Sequence, residues 1–300
     1  MDRHHRLACF TVFCTLGLGT ALTLALCEGS AKIGAIPTVA LCAIVALGIN
    51  WLAFIPSYLK RTEHFFDLTG SITYIALIVV ALMGSHDLDL RSTLVSVMVG
   101  LWALRLGSFL FLRVQKTGGD GRFDTIKHHP TTFFSWWSLQ ALWVFVTGSC
   151  ALAAITTTQR EAFGWVAVIG TFLWVGGFLI EVLADRQKTH FRSNRENDGD
   201  FIRTGLWGWS RHPNYFGEIM LWVGIAIMAT PVLTGWRWVA LISPVFVTFL
   251  LTRLSGIPIL EARGKERWGN EEKYQNYLRD TPILLPRKPR DKIKTPLGRR

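Results

Sequence analysis

The sequence predicts an all-α fold, a polytopic membrane helical bundle of about eight transmembrane helices with both termini in the cytoplasm. Half of the 300 residues are hydrophobic, and the mean hydropathy is +0.31. These residues fall in blocks close to the ~20 positions a helix needs to cross hydrocarbon, without the period-two alternation of a closed barrel. Charge is sorted between the connecting loops. Of 32 Lys and Arg residues, 27 fall in the termini and loops of one side, four (Lys32, Arg91, Arg160, Arg237) on the other, and Arg105 lies within a span. The positive-inside rule puts the basic side, with both termini, in the cytoplasm.

The apolar runs are Leu7–Cys27, Ile33–Ile55, Leu68–Gly84, Leu94–Leu112, Phe133–Thr158, Ala162–Ile180, Ile219–Trp236 and Trp238–Thr252. The first follows Arg3 and Arg6 and has the charge pattern of a signal peptide. Its 21 residues exceed a signal core and no small residue precedes Cys27, so it reads as a retained helix. The net charge of +11 belongs to basic cytoplasmic loops, and the tail Arg287–Arg300 suits anionic lipid headgroups rather than nucleic acid. Cys9, Cys14, Cys27, Cys42 and Cys150 all sit in apolar runs with no metal-like pairing. No metal site is expected.

Polar residues at helix ends carry the functional signal, because an ionisable group buried in a bilayer costs roughly 2.5–3.5 kcal/mol and needs a reason to be there. Glu63, His64 and Asp67 stand where the third span begins. Acids there complement the helix dipole, or one of them donates or relays a proton at the membrane edge, with Tyr74 deeper in the same helix. Arg105 lies about two turns from the cytoplasmic end of the fourth span, within reach of the interface by snorkelling. The loop from Lys116 to Asp124 has glycines but neither a preceding strand nor a Gly-Lys-Ser/Thr, so it reads as a flexible connector. There is no dinucleotide-binding glycine motif between a strand and a helix.

Glu181 and Asp185 share a face at the end of the sixth span, where they oppose the dipole and call for cations. Arg186, Lys188, Arg192 and Arg195 are near in sequence. The polar stretch from Arg195 to Gly205 either covers phosphates through its arginines or is a solvated loop. The run Arg203–Trp222 then turns a basic, glycine-punctuated loop into a helix at Pro213, whose fixed φ and missing N–H suit a first helical position. Asn214 and Glu218, four apart, share its mouth. Beyond Arg253 the chain reads as an amphipathic charged helix, a break at Gly269 and a restart with Tyr274 and Tyr277 on one face. It is either a peripheral helix anchored by Trp268 or a lid.

The string Ser-Arg-His-Pro-Asn-Tyr-Phe-Gly-Glu (210–218) with Glu-Ala-Arg, Arg-Trp-Gly, Tyr-Gln-Asn-Tyr and Leu-Leu-Pro further on resembles the membrane family of steroid 5α-reductases and their bacterial-type relatives, over roughly residues 60–286. The resemblance implies an NADPH-dependent reductase of a conjugated carbon–carbon double bond, with the cofactor inside the helices and open to the cytoplasm. It implies that Asn214 and Glu218 hold the nicotinamide carboxamide, that Asp185 and Arg192 contact the rest of the dinucleotide, and that a tail with Arg263, Tyr274 and Tyr277 closes the pocket. Arg211, His212 and Tyr215 of the same string join the cofactor-binding set. The chain departs from the steroid enzymes in its fourth span, which has no tyrosine; Trp102 stands about where one is expected.

Hydride addition to an enone builds charge on its carbonyl oxygen, which needs a preorganised hydrogen-bond donor. The candidates are Asp67, first, then Glu63, Tyr74 and His64, a carboxyl serving if desolvation keeps it protonated. Isoprenylcysteine and phospholipid methyltransferases share the Arg-His-Pro-x-Tyr-x-Gly pattern, so S-adenosylmethionine is the alternative cofactor; their paired glutamates are here the single Glu261. The expected organisation is membrane helices over 1–60, a reductase-like membrane domain over 61–286 and a basic tail over 287–300. The expected partners are membrane lipids and a lipid-soluble, steroid- or sterol-like enone, in the endoplasmic reticulum or a bacterial inner membrane.

The loop asymmetry has a direct test. In a background lacking the native cysteines, a cysteine at position 195 is expected to react with an impermeant thiol reagent from the cytoplasmic side, and one at position 160 only from the opposite side. The reverse pattern would overturn the topology.

Overall fold

The computed structural model describes residues 3–289; positions 290–300, most of the basic tail, lie outside the described residues. Its helices are α1 (Arg3–Cys27), α2 (Thr38–Leu59), α3 (Phe66–Met83), α4 (Leu90–Thr117), α5 (Pro130–Thr156), α6 (Trp165–Ser193), α7 (Pro213–Ala229), α8 (Ile242–Phe249), α9 (Ile257–Trp268) and α10 (Glu272–Asp280). Lys32–Ile33 and Ile36–Pro37 form a small hairpin between α1 and α2. Among the described residues eight helical stretches are long and apolar enough to span a membrane, so the protein is an all-α multi-pass membrane protein. The eighth is a composite, Gly235–Trp268, longer than its apolar run. It opens with a 3-10 segment, passes through α8 and a π turn (Leu250–Leu254), and breaks at Ser255–Gly256 before α9.

The chain divides into two compact units, one reaching to Phe172 and including Trp222–Phe246, the other comprising Leu173–Leu221 and the residues from Val247 on. In the first unit α5 is buried along most of its length, and α1, α2, α3 and α4 all pack on it. Its sequence explains the position. Ser149, Cys150, Ala151, Ala153 and Ala154 give a helix with no charge and small side chains, which lets neighbouring backbones approach.

A helix ending in hydrocarbon leaves four carbonyls to satisfy. All four at the end of α5 are taken. Ala153 O accepts from Arg237 Nη2 at 2.6 Å, and Ala154 O and Ile155 O accept from Arg160 at 3.3 and 3.1 Å. Thr156 O accepts from Ala31 N at 2.6 Å. Arg237 also reaches Gly29 O at 2.6 Å, which ties the end of α1 to the same point. Arg91 holds two loop carbonyls just ahead of α6, those of Glu161 and Ala162, at 2.9 Å each. Three of the four basic residues expected on the less basic side are thus bonded to backbone carbonyls, and two of them, Arg160 and Arg237, sit at the C-terminus of α5 in keeping with its dipole.

In the second unit α6 and α7 cross at Gly177 and Gly217. A Cβ on Gly177 would meet Gly217 O and Leu221 N, and one on Gly217 would meet Gly177 O and Glu181 N. Nothing larger than glycine lets the two backbones come this close.

Arg237→Met should lower stability by about 2–4 kcal/mol, because the buried Ala153 carbonyl and Thr156 hydroxyl lose their donor. Lys32→Met, at an exposed position, should change it by less than about 0.5 kcal/mol. Thermal unfolding of the purified protein in detergent compares the two; equal midpoints would refute the capping role.

Candidate functional site

The end of α6 carries Glu181, Ala184, Asp185 and Lys188 at helical spacing, and the first three are buried. The chain folds back over this end because its loop residues have partners on it. Gly205, at φ +59, leaves room for Gln187, whose Oε1 accepts from Leu206 N at 3.0 Å. The Trp207 indole donates to Ala184 O at 3.0 Å, and Lys188 Nζ lies 4.4 Å from the Trp207 ring centroid. The buried Ser210 hydroxyl donates to Leu284 O at 2.8 Å and accepts from His212 N at 3.1 Å. Residues 282–287 are held to the same loop by Arg211 N to Pro282 O and Arg287 N to Trp209 O, both 2.9 Å.

The close crossing of α6 and α7 brings their polar faces together. Asn214 Nδ2 donates to Asp185 Oδ1 at 3.3 Å, and Glu181 lies beside Gly217. Glu218 is half-buried one turn further along α7. Two carboxylate-bearing turns therefore face an amide at one helix mouth. Just before the mouth, Arg211 Nη1 donates to Glu261 Oε2 at 2.7 Å, and His212 Nε2 lies 2.9 Å from Glu261 Oε1. The Tyr215 ring stacks on the His212 ring, with centroids 5.6 Å apart and planes 8° from parallel. Burial pushes the His212 pKa down; Glu261 opposes that, while Lys188 and Arg211 reinforce it. His212 is therefore neutral at physiological pH.

Tyr274 packs edge-on to Phe201 at 4.9 Å, and the Tyr277 hydroxyl donates to Trp207 O at 2.8 Å. Burial raises the pKa of both phenols, so both stay protonated. Trp268, the anchor in one of the two readings of this segment, donates to Gly199 O at 2.6 Å and packs on Phe201 and Tyr274. Arg192 and Arg263 are exposed. Two residues of this cluster were not tied to it by the sequence. Glu261 comes from 49 residues beyond His212, and Gln187 stands between better-marked charges.

The first unit holds the other candidates. Glu63 is buried; its Oε1 accepts from Asp120 N at 3.1 Å and its Oε2 pairs with Lys127 Nζ at 3.1 Å. Burial alone would raise its pKa, but the Asp120 N–H and Lys127 outweigh that and hold it below the ordinary range. A protonated Glu63 acting as donor is therefore corrected: both oxygens already serve as acceptors. The loop from Lys116 to Asp124, expected to be a flexible connector, is also corrected. It is pinned by Glu63, by Arg122 bonded to Asp120, and by Phe123, buried among Phe66, Phe133 and Trp137.

Asp67 lies 3.7 Å from Arg122 and 3.8 Å from Arg113. His64 Nε2 is 3.2 Å from Gly118 O. Arg105 lies over the Phe109 ring. Tyr74 is buried edge-on against Trp102 at 5.1 Å, and Trp222 completes a trio 5.0 Å from Trp102 and 6.0 Å from Tyr74. Tyr74 of α3 thus stands directly beside Trp102 of α4. Among the described residues, no three His, Cys, Asp or Glu side chains are grouped to hold a metal.

Residues 53–281 match the family model described as "Protein of unknown function (DUF1295)". The chain is 31% identical over 128 residues to a steroid 5-alpha-reductase DET2 of Gossypium hirsutum, covering 43% of this chain and 45% of that protein. The DET2 of Arabidopsis thaliana is 29% identical over 126 residues, covering 41% and 42%. The 3-oxo-5-alpha-steroid 4-dehydrogenase 1 of Mus musculus is 31% identical over 161 residues, covering 52% and 57%. The chain thus spans about half the length of these relatives. No solved structure matches it.

Lys127→Met should cost about 2 kcal/mol, since it strands the Glu63 carboxylate. Glu63, with its pKa depressed, contributes stability that is present above the ordinary glutamate range and lost as pH falls through its own lower value. For Lys127, burial lowers the pKa but Glu63 and Asp124 raise it overall, so its contribution is lost as pH rises through a value above the ordinary ~10.4. The gap between wild type and variant should be flat from about pH 5 to 10 and close outside that window. Denaturation midpoints across pH measure it, and a gap independent of pH would refute the pair.

Proposed function

Because the chain belongs to the family described as protein of unknown function DUF1295, and is similar to steroid 5-alpha-reductases, we propose that it is an NADPH-dependent membrane oxidoreductase. It reduces a conjugated carbon–carbon double bond of a lipid-soluble, steroid- or sterol-like enone. The observation that carries this reading is the contact of Asn214 with Asp185, with Glu218 one turn away. The Asn214 amide carries a carbonyl that accepts and an NH2 that donates, and carboxylates accept, which are the group types that a carboxamide pairs with.

The residues present fit NADPH. Asn214 and Glu218 would hold the nicotinamide amide, and Asp185 would accept from a ribose hydroxyl or from the same amide. Arg192 and Arg263, exposed, would meet phosphates with forked geometry. Arg211, His212 and Tyr215 form the wall before α7, and Tyr274 and Tyr277 hold the tail over the 201–207 loop. Bound NADPH supplies the hydride.

The chain's own part in the chemistry is to stabilise the carbonyl oxygen as negative charge builds there. Asp67 and Tyr74 are seven residues apart on α3, hence on one face and about 10 Å apart along it. Tyr74 brings a neutral hydroxyl into apolar surroundings, and Asp67 stands at the membrane edge against two guanidiniums, where a proton can be replenished. The cofactor opening faces the basic, cytoplasmic side, and the substrate enters from the bilayer.

Titration of the purified protein with NADPH and with S-adenosylmethionine tests the assignment. Binding of NADPH is expected, weakened by Glu218→Gln. Binding of S-adenosylmethionine alone would make the protein a methyltransferase. On an enone found by NADPH-oxidation screening, Asp67→Asn or Tyr74→Phe should lower kcat by on the order of 10²–10³ with NADPH affinity nearly unchanged. Full turnover in both would remove α3 from the reaction.

A further inference from the structure

Glu261 belongs to α9, and neither the helix mouth at Pro213 nor the family string before it contains it. Its two oxygens are nonetheless divided between two consecutive residues of that string. Oε2 takes Arg211 Nη1 at 2.7 Å and Oε1 takes His212 Nε2 at 2.9 Å. Arg211 can only donate, and a carboxylate can only accept. The His212 nitrogen facing Glu261 must therefore carry a proton. In a neutral imidazole that leaves Nδ1 as a bare acceptor.

Nδ1 is buried and has no hydrogen-bond partner among the described residues, while the His212 side chain is only 6% exposed. A buried acceptor without a donor costs free energy, and such atoms occur where a ligand completes them. The ring has little freedom to turn away: Tyr215 stacks on it, Pro213 follows it, and its own backbone N–H is held by Ser210.

We propose that Glu261 is the positioning residue of this site: it locks His212 in the Nε2–H tautomer, so that Nδ1 accepts a hydrogen bond from an N–H or O–H group of the bound dinucleotide. This rests on the cofactor reading above and adds to it a requirement for a donor on the ligand. The charged groups around His212 are Glu261 on α9, Lys188 on α6 and the adjacent Arg211. The two cations disfavour a second proton on the ring, which keeps Nδ1 bare.

A substitution of equal size separates positioning from packing. In Glu261→Gln the amide oxygen must face Arg211, which only donates. The amide NH2 then faces His212 Nε2, and the ring must answer as the Nδ1–H tautomer. Nitrogen-15 spectra of histidine-labelled protein in detergent, assigned by loss of the signal in His212→Gln, report the tautomer directly. In the wild type, Nδ1 of His212 is expected to be unprotonated and its resonance to move on adding NADPH. Glu261→Gln is expected to protonate Nδ1 and weaken NADPH binding by roughly tenfold.

A wild-type Nδ1 that is protonated, or unmoved by saturating NADPH, would overturn the proposal without any variant being made. So would a Glu261→Gln protein with a switched tautomer and unchanged NADPH affinity. Failure of the wild type to bind NADPH at all would instead remove the cofactor reading, and the ligand half of this inference with it. The tautomer lock would still be decided by the same spectra.

Discussion

Backbone satisfaction in a medium without water is the constraint on which the first unit depends. A helix interior settles its own carbonyls, but a helix end cannot, and in hydrocarbon each orphan costs several kcal/mol. The end of α5 shows the solution: Arg237, Arg160 and the Ala31 amide take its last four carbonyls, and Arg237 continues to Gly29. One guanidinium thus fixes the end of the central helix to the end of α1. The same residues account for much of the small basic complement on that side. The charge asymmetry that orients the chain is therefore sharper than its count, since these arginines are spent on carbonyls and are not displayed to headgroups.

In the second unit the corresponding constraint is distance. Gly177 and Gly217 bring the backbones of α6 and α7 against each other, each glycine facing the other's carbonyl oxygen. With the axes so close, residues one and two turns above the crossing must face one another, and these are Glu181, Asp185 and Asn214. Acids at a helix C-terminus oppose the dipole and would normally be replaced. Here Asp185 accepts from the Asn214 amide across the crossing, one turn before Lys188, which makes the placement of an acid there tolerable. Substituting either glycine would act on the site through the helices, by widening the mouth.

The fold was legible because its signal is physical length. All eight apolar runs lie within or largely overlap the spans, and Pro213 starts α7 as its missing N–H requires. The eighth span was legible only in part. Its continuation through a π turn and α9 carries Arg253, Glu261 and Arg263, charges that end an apolar run by composition but not a helix. Asn214 with Asp185 was accessible from spacing, because each lies at the polar end of a marked helix. Glu261 was not, since its partners come from a loop 49 residues earlier and nothing local to α9 announces them. The glycines at 118–121 misled in the opposite direction. They suggest a loose connector, whereas Asp120 and Phe123 between and after them supply an amide for Glu63 and a ring for the aromatic core.

Glu63 shows how an acid at the start of a membrane helix sets the surroundings of its neighbours. Its oxygens hold Asp120 N and Lys127, so it fixes both ends of the 118–127 loop to the start of α3. Asp120 in turn holds Arg122, and Arg122 is one of the two guanidiniums facing Asp67. The surroundings of Asp67 are thus set by a chain of contacts that begins at Glu63, four residues earlier. Loss of Glu63 would release Arg122 and alter Asp67 indirectly. An effect of Glu63 on turnover would for that reason not identify it as the donor, whereas Tyr74 lies two turns deeper on α3, against Trp102 and Trp222.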